Sequence, residues 1–244
     1  MGTGTEALAD VLGRSPVFSG LDAAALLDVV AAASDRLVPA GAALFREGEP
    51  ASEFCVVVAG RLKLSQAGGA GDEVIVRFVG PGEAAAALAL FSAAAYPVTA
   101  EAAVDSRVLA WPRERLQELV GRHAGLATNL LRLLSERLRE VQERFRELAT
   151  ERVAQRIARA LLRLVRQAGR KVETGVLIDM PLSRQDIAEM TGTTMFTVSR
   201  VLTEWESRGI LRSGRERVTV TRPHALVAIA EDLPQGDAGR PGPA

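Results

Sequence analysis

Ser183, Arg184 and Gln185 stand together in "PLSRQDIAEM", and Thr194, Met195, Phe196, Thr197, Ser199 and Arg200 follow in "TGTTMFTVSRVLTEWE". Hydroxyl, amide and guanidinium groups of this kind donate to phosphate oxygens, and an arginine fork can bond the O6 and N7 of guanine together. Both groups fall at the leading ends of short helical patterns, joined by Thr191, Gly192 and Thr193. Ser183 can cap the first helix with Asp186 three residues on, which leaves Ile187, Ala188 and Met190 for a core. Gly192 permits a tight turn into the next helix. There Val198, Leu202 and Trp205 recur at helical spacing and face inward, so the six residues at its start look out. The closing "RSGRERVTVT" sets Gly214 at a turn between two strand-like runs, with Arg215 beside it, and reads as a wing. Helix, turn, helix and wing form a unit whose second helix enters a major groove.

The elements that carry this unit are legible from periodicity. From about Arg36 to Ala110 the chain reads as short antiparallel strands. "FCVVVAGRLKLS" alternates Leu62 and Leu64 with Arg61 and Lys63, "EVIVRFVG" is rich in β-branched residues, and glycines punctuate the stretch, which suggests a small β-roll or barrel. Between Leu126 and Leu148 the period changes. Leu131, Leu134, Leu138, Val141, Phe145 and Leu148 recur at steps of three and four, a narrow apolar seam of nearly three heptads. Such a seam either packs on the chain's own β-domain or meets a second copy across a two-fold axis, and the second reading is favoured. From Glu151 to Lys171 seven basic residues accompany one acid. That run is either a solvated helix face or a local positive field.

Composition bounds the function. With 244 residues, 48% apolar and 25% charged, the chain is long enough for two domains. Thirty basic residues balance thirty acidic ones, so bulk charge does not advertise nucleic acid. "MGTGTEALAD" is not a leader, and no apolar run approaches a membrane span, so the expected location is the cytoplasm. A single cysteine, Cys55, cannot form an internal disulfide or hold an iron-sulfur cluster, and in a strand pattern it reads as a core residue before a redox sensor. Two histidines, no phosphate loop, no clustered metal ligands and no nucleophile motif argue against an enzyme. The Gly- and Pro-rich tail from about Asp232 reads as disordered.

Taken in order, "GAALFREGEPASEFCVVVAGRLKLS", "GPGEAAAALALFSAAAYPVTAEA", the seam helix and "PLSRQDIAEMTGTTMFTVSRVLTEWESRGIL" resemble the Crp/Fnr superfamily of bacterial transcription regulators over roughly residues 20–225. The resemblance implies an α+β chain: a cyclic-nucleotide-binding-like β-roll with N-terminal helices (1–123), a dimerisation helix (124–150), a winged helix-turn-helix (151–225) and a tail (226–244). It implies a homodimer reading a palindromic site in double-stranded DNA. RNA polymerase is expected as a further partner, with the loop "QAGGAGD" and exposed faces of the β-domain as the candidate contacts. Whether the chain activates or represses depends on where the operator lies.

Position by position, Ser183, Arg184 and Gln185 match family residues that approach the DNA backbone, and Arg200 matches the arginine that reaches guanine. A salt bridge to Glu204 is the competing reading for Arg200. Phe196 stands where both main branches place a glutamate. A phenyl ring offers apolar contact, for example to a thymine methyl, unless it packs on its own domain. The effector pocket departs further. Ala86 and Ala87 replace the Gly-Glu pair, and Tyr96, Pro97 and Val98 fall where an Arg-Ser pair would hold the cyclic phosphate, so cyclic AMP is not expected. "YPVTAEA" resembles the Fnr and Dnr side, where some members sense nitric oxide through haem. Here an axial ligand for haem, the candidate cofactor, would have to come from His123, placed at the start of the seam helix, from His224, Cys55 or a methionine, and none is favoured.

Overall fold

A computed structural model describes residues 2–69, 71–86 and 95–233, apart from the side chains of residues 2 and 3. It divides into two compact units, Met1–Glu143 and Arg144–Ala244.

In the first unit, helices α1 (Gly2–Gly13) and α2 (Ala23–Ala31), separated by a 3-10 turn at Pro16–Phe18, precede five strands. These are β1 (Ser34–Val38), β2 (Ala43–Phe45), β3 (Glu53–Ala67), β4 (Glu73–Val79) and β5 (Thr99–Pro112). All pair antiparallel, in the order β1-β5-β3-β4 with β2 also on β5, as a β-roll. Gly60 does not end a strand as its spacing suggests. It lies inside β3 among register shifts, at φ 81°, where a Cβ would come 2.4 Å from Ser106 Oγ. Those shifts break the expected alternation, and Arg61 is buried along with Leu62 and Leu64. Cys55 is buried in β3 as a core residue, and burial pushes its thiol up to about 12.

The sheet packs around two apolar clusters. One gathers Phe18, Phe54 and Trp111 with residues of α1, α2, α3 (Arg113–Arg122) and α4 (Ala124–Thr150). The other lies among Val57, Leu62, Val79 and Val108. Trp111 Nε1 donates to the Val29 carbonyl at 2.8 Å, which ties β5 to α2. α4 contributes Leu126, Leu130 and Leu133, a buried stripe at steps of four and three. Asn129 on the same face donates from Nδ2 to the carbonyls of Val17 and Ser19 at 3.0 and 2.8 Å. His123 does not begin α4: it closes α3, and its Nε2 meets Asp28 Oδ2 at 3.1 Å.

The second unit contains α5 (Val153–Ala168), β6 (Gly169–Val172), β7 (Gly175–Ile178), α6 (Arg184–Thr191), α7 (Met195–Ser207), β8 (Leu211–Gly214), β9 (Arg217–Val220) and α8 (Pro223–Ala230). Its sheet runs β6-β7-β9-β8. Ile157, Leu161, Ile187, Leu202 and Trp205 form its buried centre. The β8–β9 hairpin is the expected wing, but the residue that turns left-handed is Glu216 (φ 53°), not Gly214.

Candidate nucleic-acid interface and effector cavity

The helix-turn-helix is built from local chemistry. Ser183 Oγ accepts from the Asp186 backbone N at 3.0 Å, and the Asp186 carboxylate accepts from the Ser183 N and Oγ at 2.7 and 2.6 Å, a reciprocal cap on α6. The Ser183 hydroxyl proton is therefore already engaged. Gly192 takes the left-handed conformation at φ 60°, ψ 48° and ends α6. Thr194 then caps α7, accepting from Thr197 N at 3.2 Å. Val198, Leu202 and Trp205 are buried, as their spacing predicts, and so is Val201; Met190 is only half-buried.

Thr194, Met195, Phe196 and Arg200 are left exposed at the start of α7, with Thr197 and Ser199 half-buried. Phe196 is 80% exposed, so it does not pack on its own domain. Nor does Arg200 pair with Glu204: that carboxylate meets Arg208 at 3.4 Å, and no ion pair of Arg200 is found among the described residues. Arg184 and Gln185 are exposed on α6. Arg184 Nη1 lies 3.5 Å from Ser199 Oγ, linking the two helices, and Gln185 donates to Glu189 at 2.8 Å. Arg215 is exposed at the wing tip.

The basic run of residues 151–171 is largely occupied in holding the unit together. Arg156 Nε donates to the Thr191 carbonyl at 3.0 Å, Arg159 bridges Glu151 and Glu231, and Arg163 pairs with the buried Glu147 at 2.7 Å. Arg170 meets Asp179 at 2.8 Å. Sequence spacing alone could not show this, because most of the partners lie 16 to 72 residues away.

The six seam residues lie on α4. Leu131, Leu138, Val141, Phe145 and Leu148 are 54–75% exposed, and Leu134 is half-buried. The packing of α4 on its own β-domain uses the separate Leu126, Leu130 and Leu133 stripe, which the seam pattern had hidden.

In the first unit a cavity of about 400 Å³ opens beside Ala86, Tyr96 and Val98, three of the four expected effector residues. Ala87 lies outside the described residues. Phe45, Leu64, Leu134, Leu138 and Val141 also line it, with Arg77 and Arg137 as the basic side chains among its described walls. Burial pushes the Arg77 guanidinium below its ordinary value while the Glu83 carboxylate acts in the opposite direction. Among the described residues no group of histidine, cysteine or carboxylate side chains could hold a metal ion, and no helix is long and apolar enough to cross a membrane.

Residues 35–123 match the cyclic nucleotide-binding domain family, and residues 155–229 match the Crp-like helix-turn-helix domain. The cyclic AMP receptor protein of Thermus thermophilus is 32% identical over 219 residues, covering 90% of this chain and 98% of that one. The transcriptional activator protein FnrA of Stutzerimonas stutzeri is 31% identical over 195 residues, 80% of each chain. Among solved structures, FixK2 from Bradyrhizobium japonicum aligns with a TM-score of 0.70 at 26% identity, over 81% of this chain and 96% of that one.

Proposed function

Because this chain belongs to the Crp/Fnr family of transcription regulators, we propose that it acts as a homodimer reading a two-fold palindromic DNA site, and that cyclic AMP is not its effector. The observation that carries the reading is the leading end of α7. There Arg200 is exposed and unpaired among the described residues, beside the exposed Phe196, on a helix held by a buried core. In this reading Arg200 bonds guanine O6 and N7, and Phe196 lies against a thymine methyl. Met195, Thr197 and Ser199 complete the base-facing surface. Arg184, Gln185, Thr194 and the wing's Arg215 reach phosphates, aided by the positive end of α6, with the Ser183 backbone at that same end.

A two-fold dimer supplies two such helices about 34 Å apart on one face of the duplex, hence the palindrome. The exposed α4 seam supports it, since a long apolar stripe on a helix is stable in water only when covered. Against cyclic AMP stands the cavity wall. Alanine and proline there offer no side-chain counter-charge, and both lining arginines already face carboxylates. The site of action is the cytoplasm, where the DNA lies. RNA polymerase would meet the β3–β4 loop; a substituted loop that leaves DNA affinity and promoter activation both unchanged would reject that contact.

In vitro selection of random DNA by the purified chain, without added ligand and at two salt concentrations, tests the reading. An enriched palindrome whose affinity falls steeply with salt supports it. A folded, dimeric protein that enriches no sequence, with or without cell extract, would instead favour the use of Phe196 and its neighbours for protein contacts.

A further inference from the structure

The polar groups among the described residues lining the candidate effector cavity already have partners within the chain. Arg77 Nη2 donates to Glu83 Oε1 at 2.9 Å, and Arg77 Nε donates to the Phe78 carbonyl at 3.3 Å. Arg137 stands 3.8 Å from the same Glu83 oxygen and donates to Glu140 at 2.7 Å. Two guanidiniums thus meet two carboxylates, and the cluster is neutral as it stands. The Tyr96 hydroxyl accepts from Glu53 N at 3.1 Å and donates to the Glu53 carbonyl at 3.3 Å, so it is occupied by backbone. Its ring stacks on Phe45 with centroids 4.0 Å apart and the planes 16° from parallel. The Pro97 carbonyl accepts from Gln66 Nε2 at 2.9 Å. Among the described residues, what remains for a guest is aliphatic and aromatic surface around about 400 Å³, within the range of small-molecule sites.

We infer that this cavity binds an uncharged, predominantly apolar small molecule, such as a medium-chain alcohol or a compact aromatic. Among the described residues an anion would meet no free counter-charge, and a buried charge is costly unless paired. The inference rests on the reading of the β-roll as an effector domain that has lost cyclic-phosphate recognition. A second copy of α4 is the competing occupant, because Leu134, Leu138 and Val141 belong to both the cavity wall and the seam.

The test titrates the purified full-length chain with Nile red, an uncharged dye, and then competes with 1-decanol, decanoate and cyclic AMP. The expected result is saturable fluorescence at one dye per chain. Decanol should displace the dye at a concentration at least tenfold below that of decanoate, and cyclic AMP should not displace it at millimolar concentration. Ala86→Trp, which fills the cavity, should weaken dye binding at least tenfold with an unchanged circular dichroism spectrum. If that variant does not fold, the decanol and decanoate comparison decides alone. Absence of saturable binding, stronger displacement by decanoate, or displacement by cyclic AMP each overturns the inference. So does dye binding abolished by Phe145→Glu but untouched by Ala86→Trp, which would place the dye on the seam. A negative dye result leaves the DNA reading standing, because that reading is decided by whether a palindrome is enriched.

Discussion

If α4 pairs with a second copy as proposed, Phe145→Ala should weaken that dimer without unfolding the chain. Phe145 is 75% exposed, so within one chain its ring contributes little to packing. Burying a phenylalanine side chain fully is worth about 1.5–3 kcal/mol. Three-quarters of that, roughly 1–2 kcal/mol, is still available when a partner covers the ring. A two-fold interface contains the residue twice, so the dimer should lose about 2–4 kcal/mol, a rise in its dissociation constant of roughly 30- to 700-fold. Sedimentation equilibrium across a concentration series measures that constant, and circular dichroism checks that the fold survives. Affinity for a palindromic duplex should fall in parallel at low protein concentration, because two linked reading helices bind far more tightly than one. A dissociation constant within threefold of wild type, on a folded variant, would refute the assignment of this face to a second copy.

Four further outcomes follow. Arg200→Ala should cost about 1–3 kcal/mol of DNA affinity and flatten preference at one base pair, read by competition with single-substituted duplexes; uniform weakening across all duplexes would assign the arginine to phosphate instead. Phe196→Glu should move the preferred base at its position toward cytosine, whose N4 donates to a carboxylate, and a half-site unchanged on repeat selection would show that residue 196 makes no base contact. Arg163→Leu leaves the buried Glu147 carboxylate without its partner, so the second unit should lose about 3 kcal/mol and its Tm should drop by on the order of 10 °C or more; a shift under 3 °C would mean the carboxylate is rehydrated at no cost. Asp28 is held below its ordinary value of 3.8 by its hydrogen bond to His123, with Arg122 adding to the effect, so its contribution to stability is complete above that value and is lost as pH falls through the lower folded one; Asp28→Asn should flatten the fall in Tm below pH 4, and an unaltered profile would count against the pairing.

The helix-turn-helix was readable from sequence because its determinants are local. The cap at Ser183, the left-handed Gly192 and the inward set Val198, Leu202 and Trp205 lie within 23 residues of one another, and each is fixed by neighbours on its own helix or turn. The β6–β7 hairpin was not readable. "GRKV" continues the basic character of α5, and β7, which pairs along its length with β6, also pairs with β9 some forty residues on. The basic run misleads for the same reason, since its meaning depends on Thr191, Glu147 and Glu231 arriving from elsewhere. Periodicity located the exposed stripe of α4 but not its buried one. Leu126, Leu130 and Leu133 share the helix with the seam, and two interleaved apolar stripes look like one until burial separates them. In the cavity, Ala86 and Tyr96 were visible as departures from a nucleotide pocket. The charge closure around Glu83 was not, because Arg137 arrives from α4, more than fifty residues beyond Arg77 and Glu83.

α4 is the element on which these readings meet. Its Leu126, Leu130 and Leu133 are committed to the core of the first unit, so the helix cannot shift there without opening that core. Leu134, Leu138 and Val141 line the cavity, yet Leu138 and Val141 remain 60% and 57% exposed, so the same side chains are still available to a second copy. A guest in the cavity and a partner on the seam, as proposed, would therefore touch common side chains. If the guest changes the dimerisation constant by some factor, dimerisation must change the affinity for the guest by that same factor, because the two equilibria share one thermodynamic cycle. A guest that contacts these three side chains identically in monomer and dimer changes nothing, however tightly it binds. Regulation through this helix accordingly depends on how differently Leu134, Leu138 and Val141 are arranged in the two states, and not on the strength of binding alone.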